Sequence, residues 1–67
     1  MKPNDMIMTP NGPAMLLGYG DGQRCVMHKV SAWPNNKPLP EHYKGGPGFV
    51  MWYEAGEVRE LSVQVRP

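Results

Sequence analysis

Short apolar runs separated by glycine and proline make up most of this chain. Residues 6–8, 14–19 and 49–53 are almost entirely apolar, residues 24–31 mix apolar and polar side chains, and residues 58–65 largely alternate between the two. Runs of this length, bounded by turn-forming residues, are typical of β-strands. Eight glycines and eight prolines are also too many for a helical protein of 67 residues. We therefore predict an all-β fold of about five antiparallel strands.

The alternating runs predict which side chains face the core. Towards the C-terminus three apolar residues share one face, which we predict to be buried: Leu61, Val63 and Val65. In residues 24–31 both faces carry apolar side chains, so periodicity alone leaves the buried face open. The β-branched residues Val26 and Val30 favour the face that also holds His28. We predict that His28 is packed inside and is not a metal ligand.

Turn signals join these strands. The segment TPNGP at residues 9–13 combines a proline, which fixes φ, with Gly12, which can adopt a positive φ. Asp21-Gly22 predicts a type I′ hairpin turn between the second and third strands. Residues 14–19 are apolar on both faces, as happens where a strand bends across a small barrel.

A long connection follows the third strand. Residues 32–48 hold four of the eight prolines and three of the eight glycines, so neither a helix nor a strand can run through them. A loop of this length in a compact domain is more often functional or mobile than a simple connector. The sequence therefore predicts one domain, residues 1–67, with a long Pro/Gly-rich loop.

Size, charge and cysteine content limit the function classes. A domain of 67 residues is marginally stable alone, which favours assembly with itself or with a partner. The net charge of +1 gives no general field for nucleic acid or anionic membranes. Cys25 is the only cysteine, so no internal disulfide can form, and a reducing, cytoplasmic setting is expected. No run is apolar enough for a signal peptide or a membrane span.

The order of turns and strands resembles an SH3-like small β-barrel related to the KOW domains. In such barrels the first turn commonly reads Thr-Pro-x-Gly-x-Gly-x-Val, and Thr9, Pro10 and Gly12 match this pattern. Ala14 and Leu16 stand where the pattern has its second Gly and its Val. The resemblance implies a five-stranded barrel over nearly the whole chain. Members of this group bind RNA, DNA, RNA polymerase or peptides, so the fold does not select a ligand.

A fainter resemblance concerns chemistry. Type II dihydrofolate reductases are SH3-like barrels of similar size whose tetramer pore is lined by a Val-Gln-Ile-Tyr run, and Val63-Gln64-Val65-Arg66 is similar to it. The tyrosine is absent. A dihydrofolate reductase-like oligomeric enzyme is thus a remote alternative.

Aromatic and basic residues near the long loop are the candidate site. One set would bind a protein partner with large rigid surfaces: Trp33, His42, Tyr43, Lys44 and Trp52. The alternative is that Trp33 and Tyr43 only cover the end of the barrel. A second set would contact nucleic-acid phosphates beside stacking rings: Arg24, Lys29, Lys37 and Lys44. Solvation of these cations is the simpler explanation.

No residue pattern indicates catalysis. Cys25 has no positioned base in the sequence, and the two histidines are too far apart to suggest a metal pair. We predict no catalytic residue, no cofactor and no metal. Six methionines are many for this length; core filling is the favoured explanation, and an adaptable binding surface the alternative. The leading hypothesis is a non-enzymatic module, an adaptor or inhibitor, that binds another protein or itself through the loop at residues 33–48 and the exposed aromatic residues. The alternative is KOW-type nucleic-acid binding.

Overall fold

The computed structural model describes residues 2–61. The strands within this range form one antiparallel sheet. Its five strands are β1 (Met6–Thr9), β2 (Gly12–Gly20), β3 (Gln23–Lys29), β4 (Gly48–Glu54) and β5 (Arg59–Glu60). Two 3₁₀ turns, Val30–Ala32 and Ala55–Glu57, follow β3 and β4. The all-β prediction with five antiparallel strands is confirmed. The strand order is β4-β3-β2-β1-β5, and among the described residues the sheet is open and does not close into a barrel.

The turn between β1 and β2 forms as predicted. Thr9 pairs with Gly12 across it, and Gly12 has a φ of 105°. The hydroxyl of Thr9 accepts the N–H of Asn11 at 3.0 Å and donates to the carbonyl of Gly12 at 2.8 Å. Such bonds let a threonine replace part of the turn's backbone pairing. This turn sets the register of the first two strands.

The hairpin between β2 and β3 lies where it was predicted, but it is not of type I′. Gly20 pairs with Gln23, which leaves Asp21 and Gly22 as the two turn residues. Gly22 has a φ of 69°, whereas Asp21 is not among the residues of positive φ. A type I′ turn needs positive φ at both positions. One glycine was therefore enough to close this hairpin.

An irregularity divides β2 into two halves. Leu16 pairs with Val26 and Gly18 with Cys25, so an extra residue, Leu17, sits in β2 between these pairs. A bulge of this kind bends the strand and moves the following side chains to the other face. Simple alternation, which places Tyr19 on the face of Met15, is therefore wrong beyond Leu17. The predicted bend in this strand is present.

Side chains on one face of the sheet, called the inner face here, form the core. Its buried members are Ile7, Ala14, Leu16, Val26, Tyr53 and Val58. In β3 the buried residues are Val26 and His28, which confirms the face chosen for this strand. The strand itself ends at Lys29, and Val30 lies half-buried in the 3₁₀ turn. Met51 packs beside the cluster from β4.

The last strand is shorter than predicted within the described residues. β5 covers Arg59–Glu60, and its pairing with β1 joins Ile7 to Glu60 and Met8 to Arg59. The buried apolar residue of this region is Val58, while Leu61 is half-buried. The predicted core residues Val63 and Val65, and the run at 63–66 that resembles dihydrofolate reductase, lie outside the described residues.

Candidate interaction surface

The aromatic residues of the long loop surround Phe49 at the start of β4. Ring centroids lie 5.1 Å from Phe49 for Trp33, 5.9 Å for His42 and 5.6 Å for Tyr43. Trp33 also meets His28 edge-on, at 5.0 Å. Edge-to-face contacts at these distances are favourable for aromatic pairs. The loop therefore turns three of the predicted partner-binding residues towards the sheet, where they cover the inner face.

The polar atoms of these rings are used inside the loop. Trp33 Nε1 lies 3.2 Å from the carbonyl of Lys37 and 3.3 Å from that of Pro38. The hydroxyl of Tyr43 donates to the carbonyl of Gly46 at 2.7 Å. An interface tyrosine or tryptophan usually keeps its polar group for the partner. Trp33 and Tyr43 thus act as packing residues, whereas Lys44 is exposed.

A buried polar pair lies beneath this loop. His28 is fully buried, and its Nε2 is 2.8 Å from the hydroxyl of Tyr53. The side-chain amide of Asn11 donates to the same hydroxyl at 2.8 Å. With Asn11 as its donor, the Tyr53 O–H is left to donate, and Nε2 is a stronger acceptor than the sulfur of Met51 at 3.6 Å. The Thr9 hydroxyl, 3.4 Å from Nε2, already donates its proton to the carbonyl of Gly12. We therefore assign the proton of the neutral His28 ring to Nδ1.

Burial decides the charge of this histidine. It lowers the pKa of His28 from the usual value of 6.5, and an interaction with the backbone of Pro13 raises it to a smaller extent. Because proline has no N–H, that interaction is with its carbonyl, which suits a proton on Nδ1. No described residue forms a well-aligned hydrogen bond with Nδ1. A neutral, enclosed imidazole of this kind holds the core together and offers no exposed atom to a substrate.

The opposite face of the sheet, called the outer face here, carries Trp52 on its edge strand β4. The side chain of Trp52 is 51% exposed, although its ring lies against the sheet. A methyl group on Gly20 would stand 2.9 Å from Cζ3 of this ring, closer than such atoms pack. Gly20 therefore leaves the space that this edge of the indole occupies. The result is an apolar platform that keeps about half of its surface in solvent.

Methionine side chains extend this platform along the outer face. Met6 is 50% exposed, and Met15 and Met27 are half-buried. With Lys29 they line a shallow groove of about 230 Å³. Of the described methionines only Met51 packs on the core cluster, so core filling is wrong as the general explanation for their number. Methionine adapts its shape to a partner at low cost, which suits a binding surface.

Two charged side chains lie at opposite ends of the outer face of β3 and β4. Lys29 pairs with Gly48 at one end of this two-stranded ladder, and Gln23 pairs with Glu54 at the other. The side chains of Lys29 and Glu54 are both exposed. Between these ends the outer face is apolar. The surface is thus an apolar strip with a cation at one end and a carboxylate at the other.

The four residues proposed for nucleic-acid contacts are not gathered on one face. Arg24 lies over the ring of Tyr19, 4.9 Å from its centroid. Lys37 reaches the first turn, where it donates to the Pro10 carbonyl at 3.4 Å and to the side-chain oxygen of Asn11. Lys44 belongs to the loop and Lys29 to the outer face. This placement spreads the cations over separate parts of the molecule.

Strand β4 lies at one edge of the sheet. The N–H of Val30 donates to the carbonyl of Pro47, immediately before the strand, at 2.9 Å. Because antiparallel ladders alternate bonded and non-bonded pairs, the backbone groups of Val50, Trp52 and Glu54 point away from β3. These groups form the free edge of the sheet.

Two side chains occupy this edge. His42 Nε2 lies 2.7 Å from the carbonyl of Val50, and the N–H of Glu54 donates to the Glu57 carboxylate at 3.0 Å. Exposed strand edges invite pairing with other chains, and proteins commonly cover them. An added strand would first have to displace both side chains. We therefore name the outer face, and not the β4 edge, as the candidate interaction surface.

The chain matches no protein-family model, no curated protein and no solved structure in the three comparisons made. Among the described residues, no helix has the length and apolar character needed to cross a membrane. The same residues contain no group of three or more His, Cys, Asp or Glu side chains arranged to hold a metal ion.

Sequence reasoning found Trp52 but missed the surface around it. The missing signal was Gly18 and Gly20, two glycines two residues apart in one strand, which leave one face of that strand bare. A bare strip beside an apolar strand indicates a large side chain lying across it.

Proposed function

We propose that this chain is a non-enzymatic protein-interaction module of the SH3-like type, which binds through its outer face. The meander β1 to β4, the return of β5 to β1 and the 3₁₀ turn before β5 support the SH3-like assignment, because small barrels of that class have this order. The chemistry of the site supports the binding role. The surface is apolar: Trp52 lies against Gly20, and flexible methionine side chains lie beside it.

The observation that carries the proposal is the seating of Trp52 on Gly20. A tryptophan that served only to cover the core would turn inward, as Trp33 does. Trp52 instead keeps about half of its surface in water, while the edge of its ring lies against Gly20, a contact that limits the conformations open to the side chain. Tryptophans that are fixed in this way before binding lose little entropy and are frequent hot spots of interfaces.

This proposal moves the contact surface from the loop at 33–48 to the sheet. Trp33, His42 and Tyr43 position the loop on Phe49, and Trp52 remains as the member of the predicted set that faces a partner. Nucleic-acid binding is the rival function. It is weakened because only Lys29 among the four cations accompanies the exposed ring of Trp52.

Photo-crosslinking from matched positions tests the proposal. Benzoylphenylalanine would replace Val50 on the outer face or Leu39 in the loop, two apolar residues that are 38% and 39% exposed. After irradiation in a lysate of the source cells, we expect a defined protein adduct from position 50 and none from position 39. An adduct from position 39 alone would return the site to the loop. Adducts with RNA or DNA would support the rival function.

A further inference from the structure

We infer that the partner fitting the outer face is a second copy of this chain, packed face to face about a twofold axis. This inference rests on the proposed function of that face. It is argued from the order of charges and side chains along β3 and β4. A twofold interface must be complementary to itself, so each residue must meet a suitable residue of the same surface.

Opposite charges lie at the two ends of the β3–β4 ladder, at equal distances from its midpoint. Its ends are the pair Lys29 with Gly48 and the pair Gln23 with Glu54, and Val26 with Met51 lies midway. A twofold axis across the strands at this midpoint places the Lys29 end of one copy over the Glu54 end of the other. Both charge pairs then form at once. An axis along the strands would instead place like charges together.

The same axis matches apolar groups between the two ends. Cys25 with Trp52 lies one step from the midpoint on one side, and Met27 with Val50 lies one step on the other. The platform of Trp52 in one copy therefore meets Val50 and Met27 in its partner. Apolar surface meets apolar surface over the whole centre of the contact.

A gap on β2 completes the fit. Met15 pairs with Met27, and Gly18 pairs with Cys25, so these two residues also lie one step on either side of the midpoint. The twofold axis sets Met15 of one copy over Gly18 of the other. A methyl group built on Gly18 has nothing within 4 Å, which shows that the space there is open. The Met15 side chain of one copy would therefore enter the open space at Gly18 of the other copy.

The size of the surface predicts a weak dimer. Four strands spaced about 4.8 Å apart, over the seven-residue length of β3 and β4, give a footprint of at most roughly 19 by 24 Å. This is below the roughly 800 Å² per partner of a standard stable interface. The association should therefore be measured from micromolar to millimolar concentration.

Charge exchange tests the arrangement. Sedimentation equilibrium would compare the wild type, Lys29→Glu, Glu54→Lys and an equal mixture of the two variants. Each variant alone would place like charges at both ends of the dimer, so we expect at least about tenfold weaker association. In the mixture both ends become opposite pairs, and association should return to the wild-type level as a heterodimer. High salt should reduce these differences.

Glu54 also caps the 3₁₀ turn Ala55–Glu57, so its loss could disturb folding. Glu54→Gln keeps a capping side chain and should weaken the dimer less than Glu54→Lys does, with an unchanged circular dichroism spectrum. A monomeric wild type over the whole range, or a mixture no better than its components, would overturn the inference. If the monomer still gives a protein adduct from position 50, the proposed function stands without self-association. If no protein adduct forms there, the proposed function fails as well.

Discussion

The two faces of this sheet are built on the same strands but have opposite properties. On the inner face Ile7, Leu16, Val26 and His28 are fully buried. On the outer face Met6 and Trp52 keep about half of their surface exposed. Alternation along each strand produces both faces from neighbouring residues.

The difference shows that this small chain places apolar residues outside its core as well as inside it. The core is formed by one face and closed by the loop, and the second face stays outside it. Apolar side chains retained there must be explained by something other than the core, and an exposed cluster of them is a mark of an interaction site. Substitutions on the inner face should therefore alter stability, and those on the outer face association.

Leu16→Ala should give the largest effect. Removal of a fully buried leucine from the core costs about 2–5 kcal/mol, which is most of the stability of a domain of this size. Met15→Ala, one residue earlier and on the outer face, should cost less than about 1 kcal/mol. Urea unfolding followed by circular dichroism at low protein concentration would measure both. Equal losses would contradict the assignment of the two faces.

Tyr53→Phe should have the next largest effect. It removes the hydroxyl that joins His28 to Asn11 and leaves the buried Nε2 with only its longer contact, 3.4 Å from the Thr9 hydroxyl, at a cost of about 1–3 kcal/mol. Tyr43→Phe is the matched control, because that hydroxyl bonds an exposed loop carbonyl and its loss should cost about 0.5 kcal/mol. The same unfolding measurement compares them. A larger loss for Tyr43→Phe would place the stabilising contact in the loop.

Acid should destabilise the fold through His28. Its pKa is lowered in the folded state by burial, so below pH 6.5 the unfolded chain takes up a proton that the folded chain does not. Stability should then fall as the pH decreases from 6.5 towards the lowered pKa, with a slope of at most about 1.4 kcal/mol per pH unit. Unfolding midpoints from pH 7.5 to pH 5 would show this. The dependence should persist in His42→Gln; its loss there would assign the effect to the loop histidine.

Gly20→Ala should have the smallest effect on stability. Its specific effect should be on the position of Trp52 on the outer face. The added methyl group would stand 2.9 Å from the Trp52 ring and force it away from the sheet. We expect a change in tryptophan emission and greater access of a neutral quencher such as acrylamide. Gly18→Ala should leave the emission unchanged, because a methyl group there meets nothing within 4 Å. Trp33 contributes equally to both spectra, and identical spectra would contradict the seating of Trp52.

Local signals in the sequence were enough for the strands and turns. Pro10 with Gly12, and Asp21 with Gly22, act over a few residues, and the burial of Val26 and His28 follows from alternation on one strand. These features depend on the chain immediately around them. The type of the second turn was the exception, since Gly22 alone supplied the positive φ.

Contacts between distant strands could not be predicted in the same way. The bulge at Leu17 depends on how β2 pairs with β3, and it decides which face Tyr19 occupies. The seating of Trp52 on Gly20 joins residues that are separated by β3 in the sheet. The inward turn of Trp33 and Tyr43 depends on Phe49, which lies beyond the loop. Register and loop packing set these features, and neither has a local pattern.

The occupied edge of β4 has a consequence for how far assembly can proceed. With His42 and Glu57 bonded to its backbone, this strand does not offer a ready template for another strand. In the proposed dimer, contact through the outer face would close after two molecules, because the twofold pairing uses the same surface of each. A concentrated solution should therefore stay clear and filterable, whereas removal of both the His42 and the Glu57 side chains would be the change that lets molecules join end on end into fibres.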